Sequence, residues 1–158
     1  MMATQPTDTT DPDGVSEDEA QRISSVMQII NTEFAAVHVG GRIVLERLVG
    51  DRVRLRMLSD PTQIRPGGTI SGPAMFKVAD LAIWVGCLNS YGKLGVQAVT
   101  TNLAINFLRR PPAGDVICEA IMLKTGRRLA VGDVQLFAGD GTTLVAQATA
   151  TYAIPSEA

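Results

Sequence analysis

The sequence predicts an α+β fold, in which an antiparallel sheet of about six strands curls round one long central helix. Three observations predict it. The run from Gly72 to Leu88, GPAMFKVADLAIWVGCL, is apolar apart from Lys77 and Asp80. Two segments before it and four longer ones after it alternate apolar and polar residues with the period of two that strands require. A helix apolar all round has to be covered on every side, and a sheet wrapped round it does so.

The elements follow in order. Residues 1–18 read as an acidic, disordered tail with no apolar stretch of the secretory kind, and residues 19–158 as one domain. Ser16 is placed to cap a short amphipathic helix, with Glu17, Asp18 and Glu19 at its start and Ile23, Val26, Met27 and Ile30 at helical spacing. RIVLERLV, a Gly50-Asp51 turn and RVRLRML then form a strand pair, in which Val53, Leu55 and Met57 alternate with Arg52, Arg54 and Arg56. The breaker-rich SDPTQIRPGG separates this pair from the apolar run, whose length favours a helix. Ser71 or Gly72 is its N-cap, Pro73 lies in its first turn, and Asn89, Ser90 and Gly92 stop it.

Four strands complete the chain. In GVQAVTTNLAINFLRRPP, strict alternation places Val99, Thr101, Leu103, Ile105 and Phe107 on one face and Thr100 on the other. DVICEAIMLKTG passes through a turn at Gly126 into RLAVGDVQLFA. The GDG at 139–141 leads into TTLVAQATATYAI, where Leu144, Ala146, Ala148, Ala150, Tyr152 and Ile154 share a face.

Composition excludes several function classes. A net charge of −2 argues against a nucleic-acid partner. The two cysteines, Cys87 and Cys118, form no CxxC pair, so neither a disulfide framework nor a zinc site is expected, and a reducing, cytoplasmic setting fits. The apolar run is shorter than the roughly 20 residues of a membrane span and carries two charges. No GxxxxGK[ST] or GxGxxG motif points to nucleotide hydrolysis or dinucleotide redox chemistry.

Asp80 is the residue that calls for a task, since a carboxylate rarely lies in apolar surroundings without a partner or a function. At helical spacings of three and four its neighbours are Phe76, Lys77, Ile83 and Trp84. Pairing with Lys77 and chemical work are both open readings of the residues alone. The approach RPGGTISGP brings backbone N–H groups to a helix N-terminus, which suits an oxyanion, although a tight turn with a cap explains it too. The single histidine, His38, is far from Asp80 in sequence, and a nucleophilic triad would require the fold to bring it there. One carboxylate with an oxyanion site suffices for a thioester, whose thiolate leaves with little acid assistance.

Three blocks, RPGGTISGPAMFKVAD, AVTTNLAINFLRRP and LKTGRRLAVGDV, together with the order of elements, resemble the hotdog-fold acyl-CoA thioesterases of the phenylacetate-degradation type over residues 35–154. The resemblance implies hydrolysis of a medium-chain or aromatic acyl-CoA, with coenzyme A as part of the substrate, no cofactor, no metal, and a homodimer or homotetramer with sites at the subunit interface. It implies Asp80 as catalytic base or nucleophile, Gly72 as the N–H that polarises the carbonyl, and Thr100 as a catalytic-site hydroxyl arriving from the partner subunit. Substrate-binding roles fall on Gly68, Phe76 and Trp84, and the basic residues Arg109, Arg110, Lys124, Arg127 and Arg128 lie where coenzyme A phosphates are met. Many members read His-Gly-Gly where this chain has Ser71-Gly72-Pro73, and Arg65 replaces an Asn, so Ser71 or Arg65 is expected to take over water positioning. The alternatives are a non-catalytic acyl-CoA-binding protein and a hydratase or dehydratase pairing His38 with Asp80.

Overall fold

The computed structural model describes residues 14–157. Of the tail expected over residues 1–18, residues 1–13 lie outside the described residues, while Glu17 and Asp18 open the first helix. Helix α1 (Glu17–Glu33) is capped by Ser16, whose Oγ accepts from the Glu19 N–H at 3.2 Å. It has 17 residues and is therefore not short. The apolar pattern ends at Ile30, but Asn31, Thr32 and Glu33 contain no breaker, and the helix runs on to its cap at Phe34.

Strands β1 (Ile43–Val49) and β2 (Arg52–Met57) form the first hairpin, turning at Gly50 with φ +57°. The breaker-rich segment holds a small ribbon of its own, β3 (Ile64–Arg65) with β4 (Thr69–Ile70), which alternation cannot reveal in strands of two residues. Helix α2 (Gly72–Tyr91) follows, capped by Ser71 rather than Gly72, and the short α3 (Lys93–Val96) comes after it. Strands β5 (Val99–Phe107), β6 (Val116–Thr125), β7 (Leu129–Ala138) and β8 (Leu144–Ala153) complete a six-stranded antiparallel sheet in the order β1-β2-β6-β7-β8-β5.

Helix α2 lies against this sheet at close range. A Cβ on Gly132 of β7 would fall 2.2 Å from Ile83 Cδ1, and one on Gly86 of α2 would fall 2.4 Å from Met122 Sδ. Ala146, Ala148 and Ala150 of β8 are wholly buried in the same core. These small residues let an apolar helix settle onto the strands without voids. Cys87 and Cys118 lie in this interior; burial pushes the Cys87 thiol up to about 12 and raises that of Cys118 as well, so both stay protonated. Among the described residues no helix is long and apolar enough to cross a membrane.

Two charged residues fasten α1 to the sheet: Arg22 Nη2 donates to Leu48 O at 3.3 Å, and Glu19 makes the more buried contact. Glu19 is 2% exposed, and its Oε1 accepts from Arg47 Nε at 2.8 Å and from the Leu48 N–H at 2.9 Å. The Arg47 guanidinium, reinforced by that backbone donor, holds the Glu19 carboxyl below its ordinary value of 4.5 in spite of burial. A carboxylate with a depressed folded value stabilises the fold fully above its unfolded value and loses that contribution as pH falls through the folded one. Glu19→Gln is therefore expected to lower stability by about 1–2 kcal/mol near neutral pH, with a gap that narrows toward about pH 3. Urea unfolding at both pH values measures it, and an equal gap at both would contradict the assignment.

Candidate active site

Asp80 sits just over two turns into α2, half-buried at the side of a cleft of about 560 Å³. The cleft has mainly apolar walls: Leu81 and Trp84 from α2, Val96 and Ala98 from the α3 region, and Phe34 and Val37 from the segment after α1. Trp84, one turn beyond Asp80, meets the Phe34 ring edge-on, with centroids 5.6 Å apart and planes at 72°. Phe34 owes its place to helix termination. Its N–H still bonds Ile30 O at 3.0 Å, but its φ of −142° and ψ of 44° leave the helix and direct the chain into the 3₁₀ turn Ala35–His38. The ring is 49% exposed at the mouth of the cleft.

Two hydroxyls hold the carboxylate. Thr100 Oγ1 donates to Asp80 Oδ1 at 2.8 Å, and Tyr152 Oη donates to the same oxygen at 2.8 Å, with the Asp80 main-chain oxygen also 3.0 Å away. Burial, and next to it the negative charge of Asp80, raise the Tyr152 phenol well above its usual range, so it remains a donor. Thr100 reaches this position through an irregularity in β5. Thr100 pairs with Tyr152 across the β5–β8 ladder, the register slips, and Asn102 pairs with Thr151. A bulge reverses the alternation at that point. Thr100 therefore faces α2 along with Leu103 and Ile105, which pack on the core, whereas unbroken alternation puts it on the opposite face. Thr100 also meets the Asp80 of its own chain, which corrects the expectation that it arrives from a partner subunit.

The other expected residues separate. Lys77 forms no ion pair with Asp80; its Nζ donates to Val39 O at 2.8 Å, and burial lowers its pKa. Ile83 is wholly buried against the sheet, and Phe76 is 40% exposed outside the cleft walls, so only Trp84 of the three apolar neighbours lines the cleft. His38 is fixed elsewhere: Nδ1 accepts from the Ile43 N–H at 3.1 Å, which leaves the proton on Nε2 to reach Asn31 Oδ1 at 2.8 Å. Burial, then the charges of Arg42 and Lys77, lower its pKa and keep the ring neutral.

At the head of α2, Ser71 Oγ accepts from the Ala74 N–H at 3.3 Å and lies 3.4 Å from Gln63 Oε1, so the hydroxyl is engaged as a cap. The Gly68 N–H closes a turn onto Arg65 O at 3.0 Å and is not a free oxyanion donor. The Gly72 N–H makes no hydrogen bond among the described residues. The Phe107 ring lies over Gly72, 3.3 Å from where a Cβ would stand. The basic residues form two groups. Arg110 Nη2 lies 3.2 Å from the Cβ position of Gly67, and the loop carrying Arg109 and Arg110 is bonded to the Gly68–Ile70 stretch, close to Arg65 and the start of α2. Lys124 at the end of β6 and Arg127 and Arg128 in the turn to β7 form the second, and the Tyr91 hydroxyl on Gly126 O at 2.7 Å ties that turn to the end of α2. A helix of 20 residues separates the groups by about 30 Å.

Tyr152 and Phe34 are the site residues that sequence reasoning misses. Tyr152 carries a signal, as the only hydroxyl on the inward face of β8, where Ala146, Ala148 and Ala150 precede it; Leu144, expected on that face, is turned off it by a register shift that buries Val145 instead. Phe34 carries none, because it lies in a linker whose path is fixed only by the fold.

A six-stranded antiparallel sheet about one long helix, with a carboxylate beside an apolar cleft, defines a hotdog enzyme. The thioesterase superfamily model matches residues 67–145. A solved candidate thioesterase from Silicibacter sp. TM1040 is 34% identical, with a TM-score of 0.75 over 85% of this chain and 92% of its own. A candidate esterase from Saccharolobus solfataricus is 27% identical over 139 residues, 85% of this chain and 87% of that one. The PaaI protein of the Escherichia coli phenylacetic acid degradation operon, at 18% identity, shares the fold with a TM-score of 0.72 over 86% of this chain and 95% of its own. The chain belongs to the thioesterase superfamily and is a thioester hydrolase.

With both ring nitrogens engaged in structure, His38→Ala is expected to cost about 1–2 kcal/mol of stability while turnover stays within about twofold. Parallel thermal unfolding and thiol-release assays measure both; loss of turnover in a folded variant would return His38 to the chemistry.

Proposed function

We propose that the enzyme hydrolyses acyl-CoA thioesters with a medium-chain or aromatic acyl group, in a site that two chains build together. The observation that carries this reading is Asp80, an oriented carboxylate beside an apolar cleft of about 560 Å³, within the usual range for a small-molecule site. The acyl group lies along the Phe34–Trp84 wall and its carbonyl carbon comes to Asp80.

The partner requirement rests on helix geometry. Gly72 and Asp80 are eight residues apart on one straight helix, about 12 Å along its axis and about 80° round it. An oxyanion donor has to lie about 3 Å from the carbonyl oxygen on which the base or nucleophile acts. A single chain cannot satisfy both, so the free Gly72 N–H serves the Asp80 of a second copy. The nine-residue edge strand β5 supports the same reading, because Val99 and Phe107 on it are 60% and 52% exposed and a long open edge invites pairing. Two copies also bring the basic group near the head of one α2 toward the cleft of another, where coenzyme A phosphates would lie.

Asp80 acts either by taking a proton from water, which adds to the carbonyl carbon, or by adding directly to give an anhydride that water then cleaves. Either course places negative charge on the carbonyl oxygen at the Gly72 N–H, breaks the C–S bond and yields free acid and the coenzyme A thiol. No resident cofactor is required.

Thiol release from acetyl-, hexanoyl-, decanoyl-, benzoyl- and phenylacetyl-CoA tests the reading. Asp80→Asn is expected to lose about 10²- to 10⁴-fold in turnover with the fold intact, and undiminished turnover would remove Asp80 from the mechanism. Binding of these compounds with no thiol released by the natural chain would leave an acyl-CoA-binding protein instead. Phe34→Ala is expected to reduce kcat/KM for benzoyl-CoA about 3- to 10-fold more than for acetyl-CoA, since one aromatic wall is lost. Equal loss on both would place the acyl group elsewhere.

A further inference from the structure

The two oxygens of Asp80 have different surroundings. Oδ1 accepts from Thr100 and from Tyr152, both at 2.8 Å, while Oδ2 has no hydrogen-bond partner among the described residues. An Asp side chain has a broad, roughly two-fold terminal torsion, so an untethered carboxylate exchanges its oxygens and samples many directions. We propose that Tyr152 is a positioning residue which, with Thr100, ties down Oδ1 and thereby assigns Oδ2 as the oxygen that reacts. The proposal rests on the reading of Asp80 as the catalytic carboxylate.

The fold makes Tyr152 rigid enough for the task. It is 3% exposed and, although near the end of β8, is paired on both sides, with Ala130 of β7 and Thr100 of β5. The small Ala148 and Ala150 precede it on the same face, so the phenol extends past them to α2. Its hydroxyl bridges 72 residues of sequence to Asp80 and touches the helix backbone there, at Asp80 O, as well as the carboxylate. Position relative to the main chain and position of the carboxylate are thus set by one atom. The phenol has a single proton, and the two acceptors lie at similar distances. When Oδ2 takes a proton or forms a bond to carbon, Oδ1 becomes a weaker acceptor, and the main-chain oxygen remains as an alternative partner for the same donor. The buried hydroxyl therefore has a partner throughout turnover, as a buried polar group requires.

Precision of this kind shows in the chemical step and leaves substrate binding alone. Tyr152→Phe keeps the ring and deletes only the hydroxyl. On the best substrate of the panel above it is expected to lower kcat about 10- to 100-fold with KM changed less than about twofold. Thr100→Val is expected to act in the same direction, and Thr100→Ser, which restores the donor, to recover most of the rate. In an Asp80→Asn background, Tyr152→Phe is expected to cause no further loss, because no reacting oxygen is left to position. Circular dichroism confirms that each variant is folded. Wild-type kcat in folded Tyr152→Phe, beside an inactive Asp80→Asn, would overturn the positioning role and leave the reading of Asp80 standing. An undiminished factor in the Asp80→Asn background would also overturn it. If Asp80→Asn itself keeps full turnover, or the natural chain hydrolyses none of the panel, the reading of Asp80 fails and the positioning role with it.

Discussion

Enclosing α2 is the constraint on which the rest of the molecule depends. Its sequence is apolar on nearly every side, so each face has to find cover, and the sheet supplies most of it. Close cover demands small residues at the points of contact. Gly132 under Ile83, Gly86 against Met122 and the alanines of β8 provide them, and the helix settles low enough for side chains of the sheet to reach its backbone. The Tyr152 hydroxyl at Asp80 O is one result. Another is that cover runs out at a defined place, where the turn after α1, the start of β5 and the end of β8 meet. Asp80 stands at that rim, with its cleft beside it.

The electrostatics of the rim follow from which donors reach it. Asp80 is held by two neutral hydroxyls, and the one nearby ammonium, Lys77, is engaged with the carbonyl of Val39. Neutral donors fix direction without cancelling the charge, whereas a lysine in contact would have made a structural ion pair of the carboxylate. The same Lys77 contact draws the 34–39 segment onto α2, so the wall that bears Phe34 and the absence of a countercharge share one cause. His38 contributes to the same end, since its two ring nitrogens brace the segment and leave no group free for acid–base work.

Much of this was legible in the sequence because it depends on local pattern. The apolar run with its cap, the alternating strands and the isolated carboxylate all read directly, and the likeness of three blocks to hotdog thioesterases agreed with them. The parts that did not read depend on contacts between distant segments. The bulge after Thr100 is a property of the pairing of β5 with β8, and no residue of VTTNLAINF announces it, so strict alternation places Thr100 on the wrong face. The approach to α2 contains several glycines with similar claims to an oxyanion site, and only the turn that closes Gly68 onto Arg65 separates it from Gly72. Phe76 and Ile83 are at the right helical spacing from Asp80, yet one points outward and the other into the core, since the sheet covers only part of that face.

The central claim is that one chain supplies the carboxylate and another the oxyanion donor. It is tested by mixing two inactive variants, Asp80→Asn and Gly72→Pro, the latter removing the N–H at a first helical position that suits proline once the half-exposed Phe107 ring, 3.3 Å from the new Cβ, shifts slightly. After co-refolding, half of the dimers carry one of each, and each mixed dimer has one site with both groups intact. The account predicts recovery of about a quarter of natural turnover on mixing. A mixture as inactive as its components, with mixed dimers demonstrated by native mass spectrometry, would contradict it.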